Sequence, residues 1–176
     1  MSKRTSKAKK RESVKKGKPS PTNPKPYVSK PLHLDINSLE NKFNRADIEF
    51  VGIDHSGPSY EGRVFLNNPK ANQDTPTTFD KGYVGSYYVF GHGSCFGDMG
   101  HCETPREWRL YDYRPSNPLR PAYIPLPVTE ELRKIGMNND RFRVTIVPVL
   151  ARKTRRYEVN PENVVKLQKI SIITYD

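Results

Sequence analysis

Both cysteines and two of the four histidines of the chain fall within eleven residues, as His92, Cys95, His101 and Cys102. Thiolate and imidazole groups are ligands for copper(I) and, in tetrahedral sets, for zinc. Glycines before and between these residues would let the loop fold back so that the four groups converge. The cluster therefore predicts a metal site, with copper as the ion and zinc as the alternative.

Two other interpretations of the same residues stay open. Cys95 and Cys102 could form a disulfide that closes a short loop, or both could be buried as small apolar side chains. His101 and Cys102 are adjacent, so in an extended strand they would point to opposite sides. A four-ligand site would require an irregular backbone at that point.

A second polar group lies at Asp54, His55 and Ser56. These residue types occur in catalytic triads, but triad members that are adjacent in sequence rarely converge. Asp and Ser side chains commonly bond to the backbone of a turn. The sequence favours a turn stabilised by Asp54 and Ser56 over a catalytic fragment.

Short extended elements must position these groups. Alternating apolar residues predict a strand over 46–53 with Ile48 and Phe50 on one face, and Gly82–Phe90 carries apolar residues on both faces, which indicates a central strand. Thr129 is expected to cap a brief helix that ends at Gly136. About six strands are predicted in all, at 46–53, 60–66, 82–90, 122–126, 141–149 and 164–175, with a polar loop over 70–81.

The composition fits this pattern. Apolar residues make up 34% of 176 residues and 16 are proline, which favours short elements and many turns. With no alternation of strands and helices, the predicted fold is all-β, a small antiparallel β-sandwich with one short helix. No apolar run is long enough for a membrane span, and the N-terminus has no apolar signal-peptide region, so a cytoplasmic location is expected.

The net charge of +11 is concentrated at the N-terminus. Residues 1–30 hold eleven Lys or Arg and one acidic residue, which leaves 19 basic and 18 acidic residues in 31–176. The first range is predicted to be a disordered basic and Pro-rich tail, 31–45 a linker and 46–176 the sandwich. Such a tail can bind nucleic acid or an anionic membrane, or serve as a solvated extension. Its candidate contacts are Lys3, Arg4, Lys7, Lys9, Lys10, Arg11, Lys15, Lys16 and Lys18.

Four pieces in a fixed order carry a resemblance to a known family. They are RVFLN at 63–67, YVGSY at 83–87, VTEELRKI at 128–135 and TIVP at 145–148. As an ordered set they resemble the C-terminal β-sandwich domain of tyrosinases and plant polyphenol oxidases, over residues 46–152.

The resemblance implies a module without catalysis of its own. The catalytic part of those enzymes holds two coppers through six histidines on a helical bundle, whereas this chain has four histidines in all. The resemblance thus implies a cap, stabiliser or copper-handling accessory of a type-3 copper catalytic subunit. Some such domains are thought to deliver copper through a cysteine pair, although Cys95 and Cys102 lack the usual CxxC spacing. The alternative function is a basic-armed protein that binds nucleic acid or another anionic partner through its tail.

Overall fold

The computed structural model describes residues 23–34, 43–92, 120–136, 141–150 and 164–175. Their elements are the strands β1 (Tyr27–Val28), β2 (Leu32–His33), β3 (Arg45–Ile53), β4 (Tyr60–Leu66), β5 (Tyr83–Val89), β6 (Ala122–Pro127), β7 (Arg141–Phe142), β8 (Val144–Leu150) and β9 (Lys169–Tyr175), and the helix α1 (Thr129–Gly136). Within these ranges, a 3₁₀ turn spans Phe79–Lys81.

Two antiparallel sheets form the layers of the molecule. The front sheet has the strand order β1-β8-β4-β5, the back sheet has the order β6-β3-β9, and β2 pairs with β7 in a separate ribbon. One apolar core lies between the sheets, where the rings of Phe50 on β3 and Tyr87 on β5 are 4.7 Å apart. The described residues therefore confirm the predicted small antiparallel all-β fold with one helix.

The back sheet shows the predicted alternation most clearly. Ala46, Ile48 and Phe50 of β3 are fully buried in the core, as the period-2 pattern indicated. Asp47 points to the other face and is also buried, and the Arg45 guanidinium pairs with its carboxylate at 2.6 Å. β6 lies at the edge of this sheet, as its prolines require.

The predicted central position of the strand within Gly82–Phe90 was wrong. Among the described residues, β5 is the edge strand of the front sheet and pairs with β4 alone. Tyr88 is 67% exposed and Phe90, just beyond the strand, is 83% exposed. Apolar residues on both faces of β5 thus do not reflect burial on both faces.

A β-bulge explains the pattern. The register shifts so that Gly85 pairs with Val64 and Tyr83 pairs with Phe65, which leaves Val84 without a partner. Gly85 has a φ of 141°, a conformation that favours glycine. The bulge turns Val84 into the core and leaves Tyr83 on the opposite face, against the Phe65 ring at 5.6 Å.

The helix forms where it was predicted, but Thr129 does not cap it. The first helical hydrogen bond runs from the Leu132 N–H to the Val128 carbonyl at 2.8 Å. Thr129 is already helical, and its hydroxyl oxygen accepts the Ala46 N–H at 3.0 Å. Its side chain therefore joins the helix to β3 instead of to the helix's own backbone.

Two predicted strands have different bounds. The range 141–149 is divided at Arg143 into β7 and β8, and Phe142, Val144 and Ile146 are buried along it. The final strand begins at Lys169 and not at Val164.

The N-terminal strands lie in ranges that the sequence assigned to the tail and the linker. β1 pairs with β8 and β2 pairs with β7, so the fold includes residues before position 46. Residues 1–22 and 35–42 lie outside the described residues. The disordered state of the basic tail therefore stays a prediction.

Candidate functional site

One end of the sandwich gathers the chain segments around the predicted ligand His92. Ile53 pairs with Ala122 and Tyr60 pairs with Val89, so the loop 54–59, the exit of β5 and the entry to β6 meet there. The end of β8 at Leu150 and the start of β9 at Lys169 also lie at this end. We call the two rings of His55 and His92, together with the Arg120 carbonyl, the histidine corner.

The loop 54–59 begins with the predicted turn, which the structure confirms. A carboxylate oxygen of Asp54 accepts the Ser56 backbone N–H at 2.9 Å and the Ser56 hydroxyl at 2.6 Å. These two hydrogen bonds lower the pKa of Asp54, and the Lys166 ammonium at 3.7 Å contributes in the same direction. Asp54 and Ser56 therefore shape the loop and leave His55 free of a triad.

Main-chain contacts fix the exit of β5 against this loop. The His92 N–H donates to the His55 carbonyl at 2.9 Å, and the Gly91 N–H donates to the Ser59 hydroxyl at 3.0 Å. A Cβ atom on Gly91 would collide with the backbone of Gly57 and Pro58. Position 91 thus needs a glycine for close approach of two chain segments.

The two imidazole rings meet edge to face. Their centroids are 5.1 Å apart and the planes make an angle of 70°. Nε2 of His55 lies 2.7 Å from the Arg120 carbonyl oxygen. Since a carbonyl only accepts, Nε2 is the donor, and Nδ1 carries the lone pair when the ring is neutral.

Nδ1 of His92 is buried and has no hydrogen-bond partner among the described residues. A buried polar atom without a partner costs free energy, and such atoms are uncommon in folded proteins. The corner therefore contains His55, whose ring orientation is fixed, beside His92, whose Nδ1 makes no hydrogen bond with any described residue and is available to a ligand.

Two further buried polar atoms lie in the core near this loop. The hydroxyls of Tyr60 and Tyr87 are close enough to interact with each other but form no well-aligned hydrogen bond with any described residue, and their rings are 6.1 Å apart. Burial raises the pKa of both phenols, so both stay protonated at neutral pH. They offer no base or nucleophile to the histidine corner.

Of the four predicted metal ligands, the structure describes one, so it does not test whether they converge. His92 is described, whereas Cys95, His101 and Cys102 lie in 93–119, outside the described residues. The choice between a metal site, a disulfide and inert packing therefore stays a prediction. Over the described ranges, no three His, Cys, Asp or Glu side chains are grouped closely enough to hold a metal ion.

Sequence reasoning missed His55 as a neighbour of His92. The residue was assigned to a turn, and that turn is present, but the pairing of β4 with β5 also brings it to His92. The sequence could have predicted this contact, because His55 precedes β4 and His92 follows β5, and antiparallel pairing of these two strands brings those ends together. The candidate contacts of the tail, from Lys3 to Lys18, lie outside the described residues.

Comparisons with known proteins give a partial likeness. No protein-family model and no curated protein matches the chain. Among solved structures, latent aurone synthase (polyphenol oxidase) from natural source matches 93% of this chain with a TM-score of 0.48 and 14% identity. The recombinantly expressed latent enzyme matches 95% with a TM-score of 0.48 and 15% identity. This chain spans 26% and 27% of the lengths of those two chains.

Proposed function

We propose that this chain is a non-catalytic sandwich module of the tyrosinase and polyphenol oxidase C-terminal type. It acts as a cap, stabiliser or copper-handling accessory of a type-3 copper enzyme. The catalytic domain belongs to a partner subunit or to another part of the same polypeptide. The accessory module works in the cytoplasm, with copper as its metal and zinc as the alternative.

One observation carries this proposal. The four sequence pieces of the family pattern occupy one structural frame: 63–67 lies on and just after β4, 83–87 on β5, 145–148 on β8 and 128–135 on and just before α1. β4 lies between β8 and β5 in the front sheet, so three of the pieces are neighbouring strands. The ordered pattern thus corresponds to a single packed unit and not to scattered matches.

The ligand count supports a role beside an enzyme. A dicopper centre of the type-3 class needs six histidines, and the whole chain contains four. His33 on β2 lies at the opposite end of the fold from His55 and His92. The histidine corner is therefore suited to holding or passing one ion, not to activating oxygen between two.

Recovery of the intact chain from its source organism tests the proposal. The full chain carries an affinity tag at its C-terminus, is isolated at low salt, and the eluate is assayed for oxygen-dependent oxidation of catechol. We expect catechol oxidation in the eluate together with a second, copper-containing protein. The same chain purified from a host without polyphenol oxidases is the control and is expected to oxidise nothing.

One outcome of this purification would contradict the proposed function. A folded chain recovered without any catechol oxidation would contradict the proposal.

The concentration of basic residues in 1–30 motivates the alternative function, a protein that binds nucleic acid through its tail. Nucleic acid in the eluate that is lost at higher salt and on removal of residues 1–22 would favour that alternative.

A further inference from the structure

We propose that His55 and His92 together form a two-imidazole binding site for copper(I). The inference deepens the copper-handling part of the proposed function and rests on it for its biological setting. It adds His55, which the sequence assigned to a turn, and it uses only side chains that the structure describes.

The first step concerns His55. Its Nε2–H donates to the Arg120 carbonyl at 2.7 Å, which fixes the ring and leaves Nδ1 with a lone pair. Histidines that ligate metals almost always donate their other ring N–H to a carbonyl or carboxylate in this way. The Arg120 carbonyl thus occupies the position of an orienting group behind a metal ligand.

The second step concerns His92. Its Nδ1 is buried without a hydrogen-bond partner among the described residues, while its ring centroid lies 5.1 Å from that of His55. A bound ion is one of the recognised explanations for a buried polar atom that lacks a partner. Metal–nitrogen bonds of about 2.0 Å would place the two ring centroids roughly 6 Å apart in a linear complex, so the rings must move apart by about 1 Å to share one ion.

The backbone around both histidines is held in place before any ion binds. The His92 N–H bonds to the His55 carbonyl, the Gly91 N–H bonds to Ser59, and Gly91 packs directly on the turn at Gly57 and Pro58. A site of this kind loses little conformational entropy on binding, which favours affinity. None of these contacts uses the atoms that would ligate the metal.

The number of ligands selects the ion. Structural zinc sites take four protein ligands, and two imidazoles leave such a site incomplete. Copper(I) has a filled d shell and forms linear complexes with two nitrogen donors. The carboxylate of Asp54, next to His55, is engaged with Ser56 and so is not offered as a hard oxygen ligand. Copper(I) is therefore the ion that the corner fits best.

The test measures copper(I) affinity by competition with the coloured chelator bicinchoninate. The full chain carries Cys95→Ser and Cys102→Ser, so that no thiolate competes for the ion. Against this background, His55→Gln and His92→Gln are compared with His33→Gln, a histidine at the opposite end of the fold. We expect one copper(I) per chain, affinity at least ~10-fold weaker in each corner variant, and no change in the control.

A second measurement guards against loss of folding. The bonds that hold positions 91 and 92 are made by the backbone, so glutamine at position 92 keeps them. Nitrogen NMR of the His92 variant and its parent should show the same fold. In the parent, copper(I) should shift Nδ1 of both rings while Nε2 of His55 keeps its proton.

Three outcomes would overturn the inference. The first is an equal copper(I) affinity in the folded corner variants and the control. The second is that the chain with both cysteines replaced binds no copper(I). The third is an Nδ1 shift in one ring only. Co-purification of a catechol-oxidising protein with the chain does not depend on this copper(I) site, so it could still be observed with each of these results. Failure of the copper(I) site is therefore distinguishable from failure of the accessory role.

Discussion

At the scale of single residues, hydrogen bonds set the ionisation of exposed groups on the back sheet. The Tyr123 hydroxyl donates to a Glu49 carboxylate oxygen at 2.6 Å. This bond, followed by burial and by the charge of Glu49, raises the pKa of Tyr123 from 10.0 to about 12. The bond stabilises the neutral phenol, so its contribution to stability is present below pH ~10 and is lost as the pH rises through the raised value.

Removal of the carboxylate should reverse this shift. We expect Glu49→Gln to lower the pKa of Tyr123 toward its ordinary value, measured by NMR titration of the ring carbons. Asp74→Asn is the matched control, since Asp74 lies on the loop between β4 and β5 and takes no part in the Tyr123 hydrogen bond. An unchanged Tyr123 titration in Glu49→Gln would contradict the assignment.

The turn beside the histidine corner gives a second prediction of this kind. Both Ser56 hydrogen bonds lower the pKa of Asp54, so the stability that Asp54 adds is present above its ordinary pKa and is lost as the pH falls through the lowered value. Ser56→Ala removes the hydroxyl bond and should raise the pKa of Asp54, as seen by carboxyl-carbon NMR. Ser59→Ala removes a hydroxyl that bonds to Gly91 instead, and it should leave Asp54 unchanged.

At the scale of elements, close contact between neighbouring strands fixes which residues fit. A Cβ atom on Gly62 of β4 would lie 2.6 Å from the buried ring of Tyr87 on β5. We expect Gly62→Ala to lower the free energy of unfolding by about 1–3 kcal/mol through overpacking, measured by urea denaturation. Gly57→Ala is the control, because a Cβ atom there meets nothing within 4 Å. Equal stability of the two variants would show that Tyr87 can move aside.

The elements also show what the sequence could and could not predict. The turn at Asp54 and the helix near Thr129 depend on neighbouring residues, and both were predictable from local chemistry. The edge position of β5 was not, because it depends on which strands pair across long stretches of chain. The bulge at Gly85 then placed Val84 and Tyr87 on one face, which no period-2 pattern contains.

The candidate site was predictable to a similar degree. His92 was chosen from its ligand type and its neighbours in sequence. His55 lies 37 positions earlier, and only the antiparallel pairing of β4 with β5 brings the two rings together. A pair that forms through strand register is not visible in local spacing.

At the scale of the whole molecule, the two sheets share one core and should unfold together. The Phe50 side chain on the back sheet is fully buried and contacts Tyr87 on the front sheet. We expect Phe50→Ala to cost about 3–5 kcal/mol of the free energy of unfolding, with one transition seen by every probe. Tyr88→Ala, at an exposed site on the front sheet, should change stability by less than ~0.5 kcal/mol. Two separate transitions would contradict a shared core.

The described part of the molecule combines this rigid sandwich with a histidine corner at one end. No helix among the described residues is long and apolar enough to cross a membrane. The sandwich fixes the positions of the strand ends, and the rings of His55 and His92 meet at one of these ends. In the function we propose, the corner holds a metal ion and the chain carries out no oxidation itself.

Oxygen uptake with catechol, measured on the purified full chain after copper loading, tests that central claim most directly. We predict uptake no greater than that of the same copper concentration in buffer, because the chain has too few histidines for a dicopper centre. Saturable uptake by the loaded chain alone, abolished by His92→Gln, would contradict the claim and make the chain an oxidase in its own right.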